Sequence, residues 1–224
     1  MDTARIAALL RPFLKHPLAQ PQLEQISIYI DILIRWNARI NLTAIRNEEE
    51  IVTRHFGESL FMARHLFSES AAVTSAEVTS ASSHPRVLDI GSGAGFPGLP
   101  LKIWAPAIQL TMIESNHKKA TFLREVVRAL TLTNVDIIAD RAEALADQVG
   151  KGFPPADVVT LRAVERLEKI LPHAIKFLAP TGTLALLIGF TQLPTLTSLP
   201  QLKWNSPIPI PQSRERVLTI SVPK

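Results

Sequence analysis

Glycines and acidic side chains are combined in one stretch of this sequence in a way that suits a nucleotide ligand. The stretch from Val87 to Pro100 reads V-L-D-I-G-S-G-A-G-F-P-G-L-P, an apolar run followed by closely spaced glycines. Glycine lets the backbone approach a ligand, and the N–H groups that open a following helix point toward it. Glu114 ends the next apolar run, where a carboxylate can accept hydrogen bonds from ribose hydroxyls. The pattern predicts a nucleotide-binding turn at Gly91.

The glycine spacing and Asp89 favour S-adenosylmethionine over a dinucleotide. Dinucleotide-binding folds use G-x-G-x-x-G to admit a pyrophosphate, whereas here the third glycine comes one residue earlier. Asp89 precedes the turn, and its negative charge would repel a pyrophosphate. The same charge suits the ammonium and sulfonium groups of S-adenosylmethionine. A tight glycine turn without any ligand is the alternative for this stretch taken alone.

Composition limits the kind of protein that can carry this turn. The chain has 224 residues, of which 46% are hydrophobic, and this supports a sizeable core. It has no cysteine, which excludes disulfides and thiolate metal sites and is typical of a cytoplasmic protein. We find no signal-peptide pattern, no apolar run of about 18 residues and no histidine spacing typical of metal sites, so we expect no membrane span and no metal. The net charge of +4 is compatible with a nucleic-acid partner.

Alternating strands and helices must position the turn. We predict strands over 87–90, 108–113, 135–139, 157–161 and 183–188. We predict helices over 99–104, 117–130, 141–149 and 164–178, the last interrupted by Pro172. This alternation predicts a Rossmann-like α/β domain over 86–224, with a parallel sheet closed by an antiparallel hairpin of 201–204 and 216–222.

Residues 1–85 are predicted to form a helical N-terminal extension and a linker. Apolar positions from Ile26 to Asn37 follow the period of one helix face, and Asn41–Thr43 breaks that helix. Asn47 is the predicted N-cap of the next helix. The Ser-, Ala- and Thr-rich segment 68–85 is predicted to be the linker.

Candidate binding residues follow the ends of the predicted strands, where open α/β sheets bind ligands. Arg162 follows an apolar strand and needs an anionic partner, either a local carboxylate or a ligand. Lys118 and Lys119 could form a basic rim for phosphates with Arg54, His55 and Arg64, although a solvated charged surface explains them equally well.

The sequence of the fourth predicted strand bears on which kind of atom would accept the methyl group. This strand lacks the D/N-P-P-Y/F tetrapeptide with which amino-group methyltransferases hold an exocyclic NH₂ group. A ring nitrogen with a lone pair, such as guanine N7, needs no general base. Catalysis would then consist of positioning alone.

Nearly the whole chain resembles the GidB (glucose-inhibited division protein B) or RsmG family of bacterial 16S rRNA guanine-N7 methyltransferases. The residues that carry the resemblance are Trp36-Asn37, Asn41-Leu42-Thr43, Arg54-His55, Ser59-Leu60, the stretch from Asp89 to Pro100, Glu114-Ser115, Lys118-Lys119, Phe122-Leu123, Arg141-Ala142-Glu143 and Arg162-Ala163. Two positions depart from the family pattern. Glu58 stands where the family usually has aspartate, and Ile188-Gly189 stands where it usually has Lys-Gly.

The resemblance implies a class I S-adenosylmethionine-dependent methyltransferase that modifies N7 of one guanine in the 530-loop region of 16S rRNA. It implies a monomeric, cytoplasmic enzyme whose partner is 16S rRNA, the small ribosomal subunit or its precursor. The implied cofactor contacts are Gly91, Phe96, Glu114, Ala142, Glu143 and Arg162. The candidates for RNA contact are Arg54, His55, Lys118 and Lys119.

Two other functions remain compatible with the sequence. A small-molecule methyltransferase would use the same cofactor but would have an apolar, lidded pocket in place of a basic rim. A non-catalytic module that retains the fold would bind the ribosome without transferring a methyl group.

Overall fold

The structure is a computed structural model that describes residues 1–67, 84–163, 166–197, 199 and 201–223. The predicted linker over 68–85 lies outside these residues, apart from His84 and Pro85. None of the described helices combines the length and hydrophobicity needed to cross a bilayer.

Strands from the described part of the chain form one mixed sheet. They are β1 (Arg86–Ile90), β2 (Gln109–Ile113), β3 (Val135–Ile138), β4 (Ala156–Arg162), β5 (Leu178–Gly189), β6 (Leu202–Trp204), β7 (Ile208–Pro209) and β8 (Arg216–Pro223). Their order is β3-β2-β1-β4-β5-β8-β6, and β7 also pairs with β8. β1 to β5 are parallel, whereas β8 runs antiparallel to β5, β6 and β7. The predicted Rossmann-like α/β fold, with its antiparallel C-terminal hairpin, is confirmed.

Helices cover the sheet. They are α1 (Thr3–Leu10), α2 (Gln20–Asn37), α3 (Glu48–Glu50), α4 (Glu58–Leu66), α5 (Gly98–Trp104), α6 (His117–Ala129), α7 (Ala142–Ala146), α8 (Leu167–Lys176) and α9 (Leu193–Leu196). The helix α7 is shorter than predicted because residues 147–148 form a turn and Val149 pairs with Phe153 in an isolated β-bridge. The predicted interruption at Pro172 is wrong, since α8 continues through this residue.

The N-terminal helices follow their sequence signals. The helix α2 ends at Asn37, before the predicted break. The side chain of Asn47 accepts the N–H of Glu50 (3.0 Å), as predicted for an N-cap. A π-helix, Ile51–Gly57, joins α3 directly to α4. Single-turn π segments inside α-helices are frequent at functional sites, and this one carries two of the candidate residues.

Alternate residues of each parallel strand serve two hydrophobic cores, one on each face of the sheet. Val87 packs in a core with residues of α1, α2, α4, α5 and α6. Leu88 and Ile90 pack in a second core with residues of α7, α8 and α9. The N-terminal helices therefore share a continuous core with one face of the sheet.

Candidate functional site

Two clefts open at the carboxyl edge of the parallel sheet. Ile90 at the end of β1 lies opposite Ile113 of β2 and Leu161 of β4, so the segments that follow these strands meet at one edge. The glycine-loop cleft, about 540 Å³, lies beyond β1, β2 and β3 and is lined by residues that include Gly91 and Ser115. The arginine cleft, about 690 Å³, lies beyond β4 and β5. Both occupy the edge at which sheets of this class bind ligands.

The loop after β1 is a series of left-handed turns. Gly91, Gly93 and Gly95 have φ angles of +69°, +56° and +86°, which L side chains rarely adopt. No described atom lies within 4 Å of the position that a Cβ of Gly91 would take. A Cβ on Gly95, in contrast, would lie 2.3 Å from the hydroxyl of Tyr29. The loop is therefore open toward the glycine-loop cleft and tightly packed against α2.

Glu114 fastens this loop to the end of β2. It is 7% exposed, its Oε2 accepts the N–H of Gly93 (2.8 Å), and its Oε1 accepts the N–H of Asn116 (2.7 Å). Each carboxylate oxygen has a further lone pair, so the same group can also accept hydroxyl hydrogens from a ligand in the cleft.

Asp89 lies beneath the loop and is fully buried. Its Oδ1 accepts the hydroxyl of Thr160 (2.8 Å), and its Oδ2 accepts the N–H of Gly98 (3.3 Å). Burial raises the pKa of Asp89 to about 6, although these hydrogen bonds act in the opposite direction. Its negative charge is therefore fully developed only at neutral pH and above.

Phe96 belongs to an aromatic stack that ties the loop to the N-terminal helices. Its ring lies between those of Tyr29 (5.3 Å between centroids) and His55 (4.7 Å), and the residue is only 5% exposed. The hydroxyl of Tyr29 donates to the carbonyl oxygen of Ala94 (2.5 Å). The structure thus places Phe96 as a support of the glycine loop.

The segment after β3 forms the opposite wall of the glycine-loop cleft. Ala142 is buried and Glu143 is exposed, and both line the cleft in the first turn of α7. Asp140 accepts the N–H of Arg141 (2.7 Å) and does not cap α7. The structure therefore brings Gly91, Ala142 and Glu143 together, close to the strand end that carries Glu114.

Arg162, at the end of β4, finds its counter-charge inside the protein. Its Nη2 donates to Oε2 of Glu58 (3.3 Å) and to the carbonyl oxygen of Arg54 (2.7 Å). Of the two anionic partners that the sequence left open, the structure supplies the local carboxylate. Arg162 lines the arginine cleft.

Glu58 binds a second arginine. It is 2% exposed, and its Oε1 accepts a hydrogen bond from Nη2 of Arg216 at the start of β8. The charged residues that line the arginine cleft are Arg54, Glu58, Arg162, Arg214, Glu215 and Arg216. Positive charge is therefore in excess, and the cleft suits a ligand that carries negative charge.

His55 is a neutral spacer in this network. Burial, and next the charge of Arg162, lower the pKa of His55 to about 2. Its Nδ1 lies 3.0 Å from Nη1 of Arg162, which can only donate, so Nδ1 is the acceptor. The proton is then on Nε2, which donates to Oγ1 of Thr43 (2.8 Å). With both ring nitrogens engaged, His55 is not available as a general base.

Asn37 holds the backbone of Leu42 and Thr43 in place through its side-chain amide. Its Oδ1 accepts the N–H groups of Leu42 (2.9 Å) and Thr43 (3.1 Å), and its Nδ2 donates to the carbonyl oxygen of Thr43 (3.0 Å). Sequence reasoning assigned no role to Asn37, Thr43, Glu58 or Arg216. The first three stand in motifs of the family resemblance, whereas no local pattern marks Arg216.

The candidates for RNA contact fall into two groups. Arg54 lies at the arginine cleft, 42% of its side chain exposed, and pairs with Glu50 (3.1 Å), while His55 is only 6% exposed. Lys118 and Lys119 follow β2 in the first turn of α6 and have accessible side chains. Arg64, also placed in the predicted rim, donates to the carbonyl oxygen of Phe13 (2.9 Å).

Comparisons with known proteins identify the family of the chain. The model of the GidB family, described as rRNA small subunit methyltransferase G, matches residues 22–202. Proteins described as ribosomal RNA small subunit methyltransferase G are 36% identical over 184 residues in Chromobacterium violaceum and 41% identical over 173 residues in Roseiflexus castenholzii. The first match covers 82% of this chain and 78% of the Chromobacterium protein. The second covers 74% of this chain and 68% of the Roseiflexus protein.

Solved structures share the fold at low sequence identity. A ribosomal protein L11 methylase from Lactobacillus delbrueckii has a TM-score of 0.55 at 18% identity, covering 75% of this chain and 80% of that chain. The M. jannaschii TYW2 structure in complex with AdoMet has a TM-score of 0.54 at 18% identity, covering 82% and 78%.

Proposed function

The chain belongs to the GidB family, described as rRNA small subunit methyltransferase G, and from this premise we propose that it methylates N7 of one guanine in the 530 loop of 16S rRNA. Family membership confirms the resemblance that the motifs indicated, together with the methyltransferase class and the S-adenosylmethionine cofactor. We further propose that the protein acts as a monomer in the cytoplasm, on the small ribosomal subunit or its precursor.

The residues of the glycine-loop cleft fit S-adenosylmethionine. The space beside Gly91 is open, and a side chain at this position would project into it. Glu114 presents acceptor oxygens for hydroxyl groups, and Asp89 supplies negative charge beneath the loop for a cationic amino-acid end. We assign cofactor binding to Gly91, Glu114, Ala142 and Glu143. Phe96 and Arg162, which the resemblance also implied as contacts, are assigned to positioning of the loop and of the second cleft.

The arginine cleft carries the proposal of an RNA acceptor. Four arginines and two glutamates line it, and one of the glutamates, Glu58, is already paired with Arg162 and Arg216. Phosphate groups compensate such an excess of positive charge. The apolar, lidded pocket of a small-molecule methyltransferase would have a different lining. The position of this charge beside the glycine loop is the observation on which the proposal depends.

Guanine N7 as acceptor agrees with the state of His55 and Glu58, the two buried side chains of the arginine cleft that could otherwise act as a base. Both nitrogens of His55 and both oxygens of Glu58 are engaged in hydrogen bonds. Neither group is placed to remove a proton from a substrate. S-adenosylmethionine held by the residues of the glycine-loop cleft would supply an electrophilic methyl group, and its transfer to the N7 lone pair would leave S-adenosylhomocysteine and release no proton. What the protein must supply is alignment.

The proposal is tested with labelled S-adenosylmethionine and small ribosomal subunits or protein-free 16S rRNA from a strain that lacks the gene. We expect one methyl group per RNA, at a 530-loop guanine that becomes sensitive to the chemical cleavage specific for 7-methylguanosine. Subunits from the parent strain are the control and should accept almost no label. Label on another atom or base, or only on small molecules, would contradict the proposal.

A further inference from the structure

Phe190 stands out at the arginine cleft because it is apolar, large and accessible. It lines this cleft, and 44% of its surface is exposed. Among the large hydrophobic residues of the described chain, Ile28 is the other that is classed as exposed, and it lies on α2. An accessible phenyl ring on the wall of a cationic cleft adds nothing to the hydrophobic core.

Hydrogen bonds hold the main chain at Phe190. Phe190 directly follows β5 and opens a 3₁₀ turn, Phe190–Gln192. Its N–H donates to the carbonyl oxygen of Glu215 (2.8 Å), and the N–H of Gly189 donates to Oε1 of Gln192 (3.1 Å). The first bond attaches Phe190 to the segment that carries Arg214 and Arg216. The residue that carries the ring is therefore tied to the segment that carries the cleft's positive charge.

This combination has a preferred type of ligand. Proteins recognise unpaired nucleotides by stacking bases on aromatic side chains while cationic groups contact the phosphates. Many enzymes that modify a base also take it out of its stack. We propose that Phe190 is the platform on which the target guanine stacks. The inference rests on the proposed function and adds to it a binding residue for the acceptor.

The test compares Phe190→Leu with Phe190→Trp in transfer of labelled methyl groups to small subunits. We expect Phe190→Leu to lower kcat/KM for RNA by about 5- to 150-fold, the range that corresponds to the loss of one base–aromatic stack. Phe190→Trp should stay within about threefold of wild type, because it retains an aromatic face. Ile28→Ala is the control for an exposed apolar residue outside the cleft and should behave as wild type.

Calorimetry with S-adenosylmethionine and thermal unfolding separate stacking from a structural role. Both should be unchanged in Phe190→Leu. Wild-type activity in Phe190→Leu would overturn the stacking proposal and leave the proposed function standing, since an unspecific apolar contact, with RNA or with a ribosomal protein, tolerates leucine. A kcat/KM for Phe190→Trp as low as that of Phe190→Leu would also overturn it. Absence of transfer to RNA by the wild-type protein would overturn the proposed function and this inference with it.

Discussion

The two clefts lie along one sheet edge but are built in different ways. The glycine-loop cleft is lined by the segments that follow β1, β2 and β3, together with Leu161 of β4 and part of α8, and Glu114 fastens its loop through a bond to Gly93, 21 positions away. In the arginine cleft, Glu58 joins Arg162 and Arg216, which are 104 and 158 positions distant. The loop of the first cleft is thus held by a short-range bond, whereas the charges of the second are held by contacts between the N-terminal helices and distant parts of the sheet. We expect mutations to affect them differently.

Removing the charge of Glu58 should give the largest effect and would break the arginine cleft. Glu58→Gln leaves two guanidinium groups without a buried counter-charge, and loss of one partner of a buried pair costs about 3–5 kcal/mol. We expect the free energy of unfolding to fall by this amount in denaturant titrations.

Glu50→Gln is the matched control, since Glu50 pairs with Arg54 at the surface. Such pairs contribute about 0.3–0.5 kcal/mol. Equal effects of the two substitutions would show that the buried network does not hold the arginine cleft together.

Gly95→Ala should break the glycine-loop cleft. The φ of +86° disfavours alanine by about 1–2 kcal/mol, and the new Cβ would collide with Tyr29 and Leu99. We expect a loss of about 2–4 kcal/mol of stability and a clear loss of S-adenosylmethionine affinity in calorimetry. Gly93→Ala, whose Cβ would make only an ordinary contact of 3.8 Å with the carbonyl oxygen of Gly91, should show only the backbone cost.

The buried titratable groups of the two clefts should give opposite pH dependences. Because the pKa of Asp89 is raised, its contribution to stability is fully present below about pH 4. This contribution is lost as the pH rises through about 6. The lowered pKa of His55 makes its contribution full above about pH 6.5 and lost as the pH falls. Between about pH 4 and 6 the two slopes, each up to about 1.4 kcal/mol per pH unit, nearly cancel.

Single variants should separate these slopes. Relative to wild type, stability of Asp89→Asn should rise with pH over this interval, and that of His55→Asn should fall. Denaturant titrations at several pH values measure both. Parallel curves for the wild type and both variants would contradict the assignment.

Glu114→Gln should give the smallest effect and sharpen the comparison. The amide retains one acceptor oxygen but loses the charge, so we expect about tenfold weaker S-adenosylmethionine binding, or about 1.4 kcal/mol. Arg214→Gln, at the other cleft, should instead raise KM for RNA and leave cofactor affinity unchanged. A variant that alters both ligands equally would argue against two separate clefts.

The same difference explains what the sequence could predict. Strand–turn–helix spacing and the glycines place Gly91 and Ala142 in one cleft and Glu114 at a strand end beside it, because parallel strands bring their carboxyl ends together. The pairing of Glu58 with Arg216 depends on the packing of α4 against the sheet and on β8 lying beside β5. No local periodicity encodes such contacts. Arg162 shows the limit: its need for an anion was evident, but its partner was not.

Tyr29, which donates to Ala94 beside the glycine loop, is the only tyrosine of the 224 residues. Burial, and next the charge of Asp89, raise its pKa well above the ordinary value. Its phenolate, with its own ultraviolet band, is therefore disfavoured as long as the N-terminal helices pack on the loop. Alkaline spectrophotometric titration therefore reads the opening of a single junction in the unlabelled protein, and a shift of that titration on adding S-adenosylmethionine measures how far the ligand tightens it.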